Sequence, residues 1–74
     1  MVKELDVVAL TRSFPEFKLQ AGDTGTVVDV SPDGQWFIVE FTAYDGTTIA
    51  VETVEAGAVR PIAGREILQA RVLA

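Results

Sequence analysis

The chain reads as all-β: a small, strongly bent antiparallel barrel of five to six strands with one helical turn. Three observations predict this. Short runs rich in Val, Ile, Thr and aromatic residues recur along 74 residues. Clusters of Gly, Pro and Asp, at Gly22-Asp23-Thr24-Gly25, Ser31-Pro32-Asp33-Gly34 and Tyr44-Asp45-Gly46, separate them. The run from Trp36 to Thr42 alternates with period two, the spacing of a strand that buries one face.

Residues 5–10 (LDVVAL) are short, apolar and valine-rich, and form a first strand with apolar side chains on both faces. Residues 11–22 follow as a long loop. Phe14, Phe17 and Leu19 are too apolar for a solvated linker, so the loop is expected to fold back over an open edge of the core. Gly22 and Gly25 then set a sharp turn into the strand 24–30, where Thr26, Val27, Val28 and Val30 have strong strand preference. Asp23 is expected to bond to backbone within its own turn, the common use of Asp between glycines, so Asp23→Asn should be nearly silent.

Pro32 presets φ, Gly34 accepts the left-handed position, and the chain reverses. In the strand 36–42, Phe37, Val39 and Phe41 form the core face, with Trp36, Ile38 and Glu40 opposite. The Asp45-Gly46 pair favours a primed hairpin turn into a strand over 47–53. There Ile49 and Val51 share a face and are expected to pack toward Phe37 and Phe41. Residues 55–58 make one helical turn, and 59–62 a brief edge strand where Pro61 is tolerated. The tail is ambiguous: Leu68, Ala70 and Val72 alternate as in a strand, while Ile67, Ala70 and Leu73 recur at helical spacing. It is taken as a C-terminal tail strand over residues 64–74 of a single domain, 1–74.

This element order is that of an SH3-like barrel. The run Lys3-Glu4-Leu5-Asp6-Val7-Val8-Ala9-Leu10 supports a family resemblance. So do Leu19-Gln20-Ala21-Gly22-Asp23-Thr24-Gly25-Thr26-Val27-Val28, Phe41 with Asp45-Gly46 and residues 47–54, and Val59-Arg60-Pro61. Together they resemble short bacterial proteins grouped as domain of unknown function 4926. The likeness spans nearly the whole chain. It implies a barrel and no activity, since that family has none established and so no functional residues to carry over. The glycine signature also resembles, locally, the SH3-like part of nitrile hydratase β subunits and the KOW segments of ribosomal and transcription proteins.

Composition narrows the chemistry. With no Cys and no His, disulfides, Cys/His zinc sites and imidazole bases are all excluded. Ser13 and Ser31 have no base beside them, and the 22–25 loop lacks the lysine and helix of a phosphate cradle. The reading is therefore of a protein that is not an enzyme, with no cofactor and no catalytic or metal residue. Asp29 and Asp33 fall short of a calcium loop's ligand count. Lys18, Arg12 and Arg60 could share a small basic spot if the long loop folds over the last strand, although isolated surface cations are the usual case. A net charge of −5 disfavours nucleic acid. The start of the chain has neither the basic residues nor the apolar run of a signal peptide, and no apolar run approaches the ~20 residues a bilayer requires, so a cytoplasmic, membrane-free protein is expected.

A chain that is 49% hydrophobic and this short is hard to bury as one monomer. Trp36 and Ile38, opposite the core face, mark an interaction surface, joined by Phe14 and Phe17 of the long loop. Gly22, Asp23 and Gly25 are read as a structural turn. The function expected is a non-enzymatic protein-interaction module whose partner is another protein, with a neighbouring gene as a candidate source, together with a homodimer formed through the Trp36 face or the tail. The alternative is an accessory or regulatory subunit of an enzyme complex, as the nitrile hydratase likeness implies. KOW-like nucleic-acid binding ranks below both.

Overall fold

The computed structural model describes residues 2–73. Five strands, β1 (Val7–Leu10), β2 (Thr24–Val30), β3 (Trp36–Thr42), β4 (Thr48–Glu55) and β5 (Val59–Pro61), form one antiparallel sheet in the order β4-β3-β2-β1-β5. The fold is all-β, and β2, β3 and β4 make the expected meander. A long loop after β1 and a 3-10 turn at Ala56–Ala58 before β5 complete the SH3-like order. Among the described residues there is a second such turn beside the one expected: Pro15–Phe17 lies inside the long loop, with Pro15 in the first turn, where its missing N–H costs nothing.

β1 starts later than its composition suggests. Asp6 accepts the Lys3 N–H on its carboxylate, and Leu5 takes a left-handed φ of 72°, so residues 3–6 turn before the ladder begins. The long loop folds back as expected. Phe14 and Leu19 bridge each other and are buried with Val8, Leu10, Val27, Phe37, Val39 and Phe41 in the one core. The 31–34 turn is tied by Ser31, whose N–H donates to the Trp36 carbonyl and whose hydroxyl oxygen accepts the N–H groups of Gln35 and Trp36. Gly34, at φ 72°, closes it.

Two β-bulges decide which side chains face the core. Val27 lies opposite Val39 and Asp29 opposite Ile38, so Val28 is an extra residue in β2. Phe41 lies opposite Ala50 and Thr42 opposite Thr48, so Ile49 is an extra residue in β4. The second bulge overturns the expected packing of Ile49 and Val51. Residues directly opposite share a face, which puts Ala50, Glu52 and Val54 beside Phe41, Val39 and Phe37. Val54 is buried, while Ile49 and Val51 are exposed. The cause lies in the hairpin. It is not a two-residue primed turn but a longer loop in which Ala43 N–H bonds to the Thr47 carbonyl and Gly46 N–H to the Ala43 carbonyl.

The tail corrects another expectation. No strand forms over residues 62–73. Ile62 N–H reaches the Val7 carbonyl at 3.3 Å, and beyond it the described tail makes no backbone-to-backbone bond. Pro61 offers no N–H at the edge of β5, and the tail is held by side chains instead.

Gly25 is required for a reason other than backbone angle. Its φ lies outside the left-handed region, but a Cβ there would sit 2.6 Å from Val39 Cγ1 and 2.9 Å from both the Glu40 carbonyl oxygen and Phe41 Cδ1. Gly25→Val should therefore cost about 3 kcal/mol or more by overpacking against the buried Val39 and Phe41 side chains and the Glu40 carbonyl. Val54→Ala should cost about 2 kcal/mol and Val51→Ala within about 0.5. Urea melts of the three variants check this; equal losses at Val51 and Val54 would contradict the register.

Candidate functional site

Two surfaces stand out, one polar and one apolar. The polar one is built on Asp23. Its Oδ2 accepts the Gln20 N–H at 2.8 Å, the bond within its own turn that the sequence implies. The same carboxylate also takes the Arg71 guanidinium as a bidentate pair, Nε on Oδ1 at 2.7 Å and Nη2 on Oδ2, and Gln69 Nε2 on Oδ1 at 2.8 Å. A second hydrogen bond from Arg71 Nη2 reaches the Lys18 carbonyl at 3.0 Å. That carbonyl follows the 3-10 turn, where Lys18 adopts φ 60°. Gly22, at φ 92°, lies under the Gln69 amide: a Cβ there would be 2.6 Å from Oε1.

The pair is partly sheltered, with side-chain exposures of 23% for Arg71 and 13% for Asp23. Burial pushes the Asp23 carboxyl up, but the bonds from Arg71, the Gln20 N–H and Gln69 together outweigh it, leaving the group below its ordinary 3.8. Nearer β5, Glu66 accepts Arg60 and the Ala63 N–H, which hold its carboxyl at about 2. Beside the tail a cleft of about 410 Å³ opens toward the β3–β4 hairpin, lined by Leu19, Asp23, Phe41, Ile49, Leu68 and Arg71 among others.

The apolar surface is the outer face of the sheet. Trp36 and Ile38 lie on it as expected, Trp36 38% exposed and Ile38 half-buried. Val51 on β4 is 50% exposed, and the bulge residue Val28 is also exposed. Carboxylates surround them: Asp29 opposite Ile38, Glu55 opposite Trp36 and Glu40 opposite Val51.

Residues 4–61 match the family described as Domain of unknown function (DUF4926). The chain belongs to that family. No curated protein matches it. Nor does any solved structure. The DUF4926 stretch contains all five strands, the Gly22–Gly25 turn and the Trp36 face, and it ends before Glu66, Gln69 and Arg71. The Asp23 clamp thus joins a residue of the family's matched stretch to residues beyond it.

The other sequence candidates divide. Phe14 is not surface: it is buried in the core, with the Arg12 guanidinium 4.1 Å from its ring centroid and Phe17 stacked at 6.3 Å. Phe17 is partly buried on the same cluster. Arg12 and Arg60 are engaged separately, by Glu55 and Glu66, so they do not share a basic spot. The Ser13 hydroxyl accepts the Ala21 N–H, and Ser31 donates to Asp33. Among the described residues no three acidic side chains are grouped to hold a metal, and no helix is long and apolar enough to cross a membrane.

Gln69 and Arg71 are the residues the sequence reading missed. The alternation of Leu68, Ala70 and Val72 with Gln69 and Arg71 is visible in the sequence, but there the apolar half looks like the inward one. The structure engages the polar half instead, which makes Asp23→Asn a disruptive change. Its native carboxyl lies below the unfolded value, so its contribution is complete above 3.8 and is lost as pH falls through the native value. Acidification below pH 3.8 should therefore progressively weaken the tail's hold, and Asp23→Asn should free it at neutral pH, weakening the contact by about 1–3 kcal/mol. The Arg71 Nε–H resonance and its exchange rate report both; a resonance unmoved by either change would contradict the clamp.

Proposed function

We propose that the protein is a non-enzymatic protein-interaction module of the bacterial cytoplasm that binds another protein through the outer face of β3 and β4. The observation that carries this reading is the exposed Trp36 beside Ile38 and Val51, on a sheet whose other face already fills the core. A tryptophan in that setting offers large apolar area with a polar N–H, the kind of residue on which binding energy concentrates. The carboxylates of Asp29, Glu40 and Glu55 favour a partner with an apolar centre and a basic rim.

The non-enzymatic part is supported by the way the polar groups are used. Asp23 is committed to Arg71, Gln69 and Gln20, and the serine hydroxyls to their turns. A homodimer through the same face is the other occupant it admits. It would set the acidic rim of one copy near that of the next, so such a dimer should strengthen with salt.

The test is affinity capture from native lysate, with light scattering at low and high salt, for the wild type and for Trp36→Ser/Ile38→Thr. A partner retained by the wild type and lost by the double variant, with its fold intact by circular dichroism, is the expected result. A scattering mass that doubles in high salt only for the wild type would make the partner a second copy. Binding and mass unchanged by the substitutions would rule the face out.

A further inference from the structure

We propose that the Asp23 cleft is a recognition site for an extended, arginine-bearing segment of another protein, and that the chain's own tail fills it in cis as a competing ligand. The receptor atoms belong to the body of the domain. Asp23 Oδ2 is oriented by the Gln20 N–H, Oδ1 faces the tail, and the Lys18 carbonyl is presented by its left-handed backbone. One guanidinium satisfies all three acceptors. A lysine ammonium matches only a point charge and loses the planar fork.

The occupant behaves as a ligand and not as a strand of the fold. Residues 67–73 add no backbone bond to the sheet among the described residues, and their polar side chains make the anchoring bonds. Ile67 and Val72 are almost wholly exposed and Leu68 and Leu73 only half covered along the cleft, so the tail buries little apolar area and is held chiefly by its polar side chains. The tether runs through Gly64, where no atom lies within 4 Å of the Cβ position. The matched family stretch includes Lys18, Gln20 and Asp23 and ends before the occupant. Leu19, Phe41 and Ile49 of the domain body, with Leu68 and Leu73 of the tail, line a cleft of about 410 Å³ beside the arginine, so an apolar wall flanks the acceptors on the body's side.

Tethering gives the tail an effective concentration on the order of millimolar, so a foreign segment must outcompete it, and loosening the tail opens the site. The probe is a fluorescent peptide of the tail's own sequence, ILQARVL, with a second peptide carrying Lys in place of Arg. Full-length Gln69→Ala/Arg71→Ala should bind the arginine peptide about tenfold or more tightly than the wild type does. The lysine peptide should bind weakly, and adding Asp23→Asn should abolish binding. In the wild type, excess arginine peptide should shift the Arg71 Nε–H resonance to its free position, a reading independent of whether the variants fold. No displacement of Arg71 by peptide in the wild type, or equal binding of the two peptides, would overturn the proposal. So would a wild-type dimer that Asp23→Asn dissociates, which would make the occupant a second copy's tail.

Discussion

The space beside Gly25, where a side chain would stand on any other residue, is filled by Val39, Phe41 and the Glu40 carbonyl. β2 and β3 can approach this closely because nothing projects from β2 at that point. Val8 lies across from the same glycine on β1, so three strands converge where one of them has no side chain. Val8, Val27 and Val39, at 0–1% exposure, gather around this convergence. In a chain with no disulfide available, the close packing there has to supply what a covalent link supplies elsewhere.

Strand existence was legible because each strand carries its own residue preferences and each reversal its own Gly, Pro or Asp. Pairing was less so. A bulge is a relation between two strands, set by where the hairpin closes, and nothing within Ile49 or its neighbours announces that it will have no partner. One extra residue moved Val54 inward and Val51 outward. Phe14 goes further inward than the open core edge expected of it, and so cannot join the Trp36 surface: its bridge to Leu19 carries it into the core.

The Asp23 cluster was half legible. A carboxylate between glycines implies bonding to its own turn, and the bond to Gln20 is there. The remaining acceptor capacity of that carboxylate is the part local reading leaves out, because its partner lies 48 residues away. A sheltered carboxylate with only one backbone donor would be costly. The tail's alternation of polar and apolar residues supplies the missing donors and leaves the apolar half facing water, an arrangement that favours polar satisfaction over burial of area.

Glu52 faces the core side of β4 opposite Val39, on a strand whose far edge pairs with nothing among the described residues. Another chain adding itself to that edge would bring its own side chains beside this carboxylate and would have to desolvate it against an apolar neighbour. The bulge at Ile49 interrupts the template further. The protein can therefore display an apolar outer face without offering the adjoining edge as a seed for open-ended, fibre-like stacking of sheets.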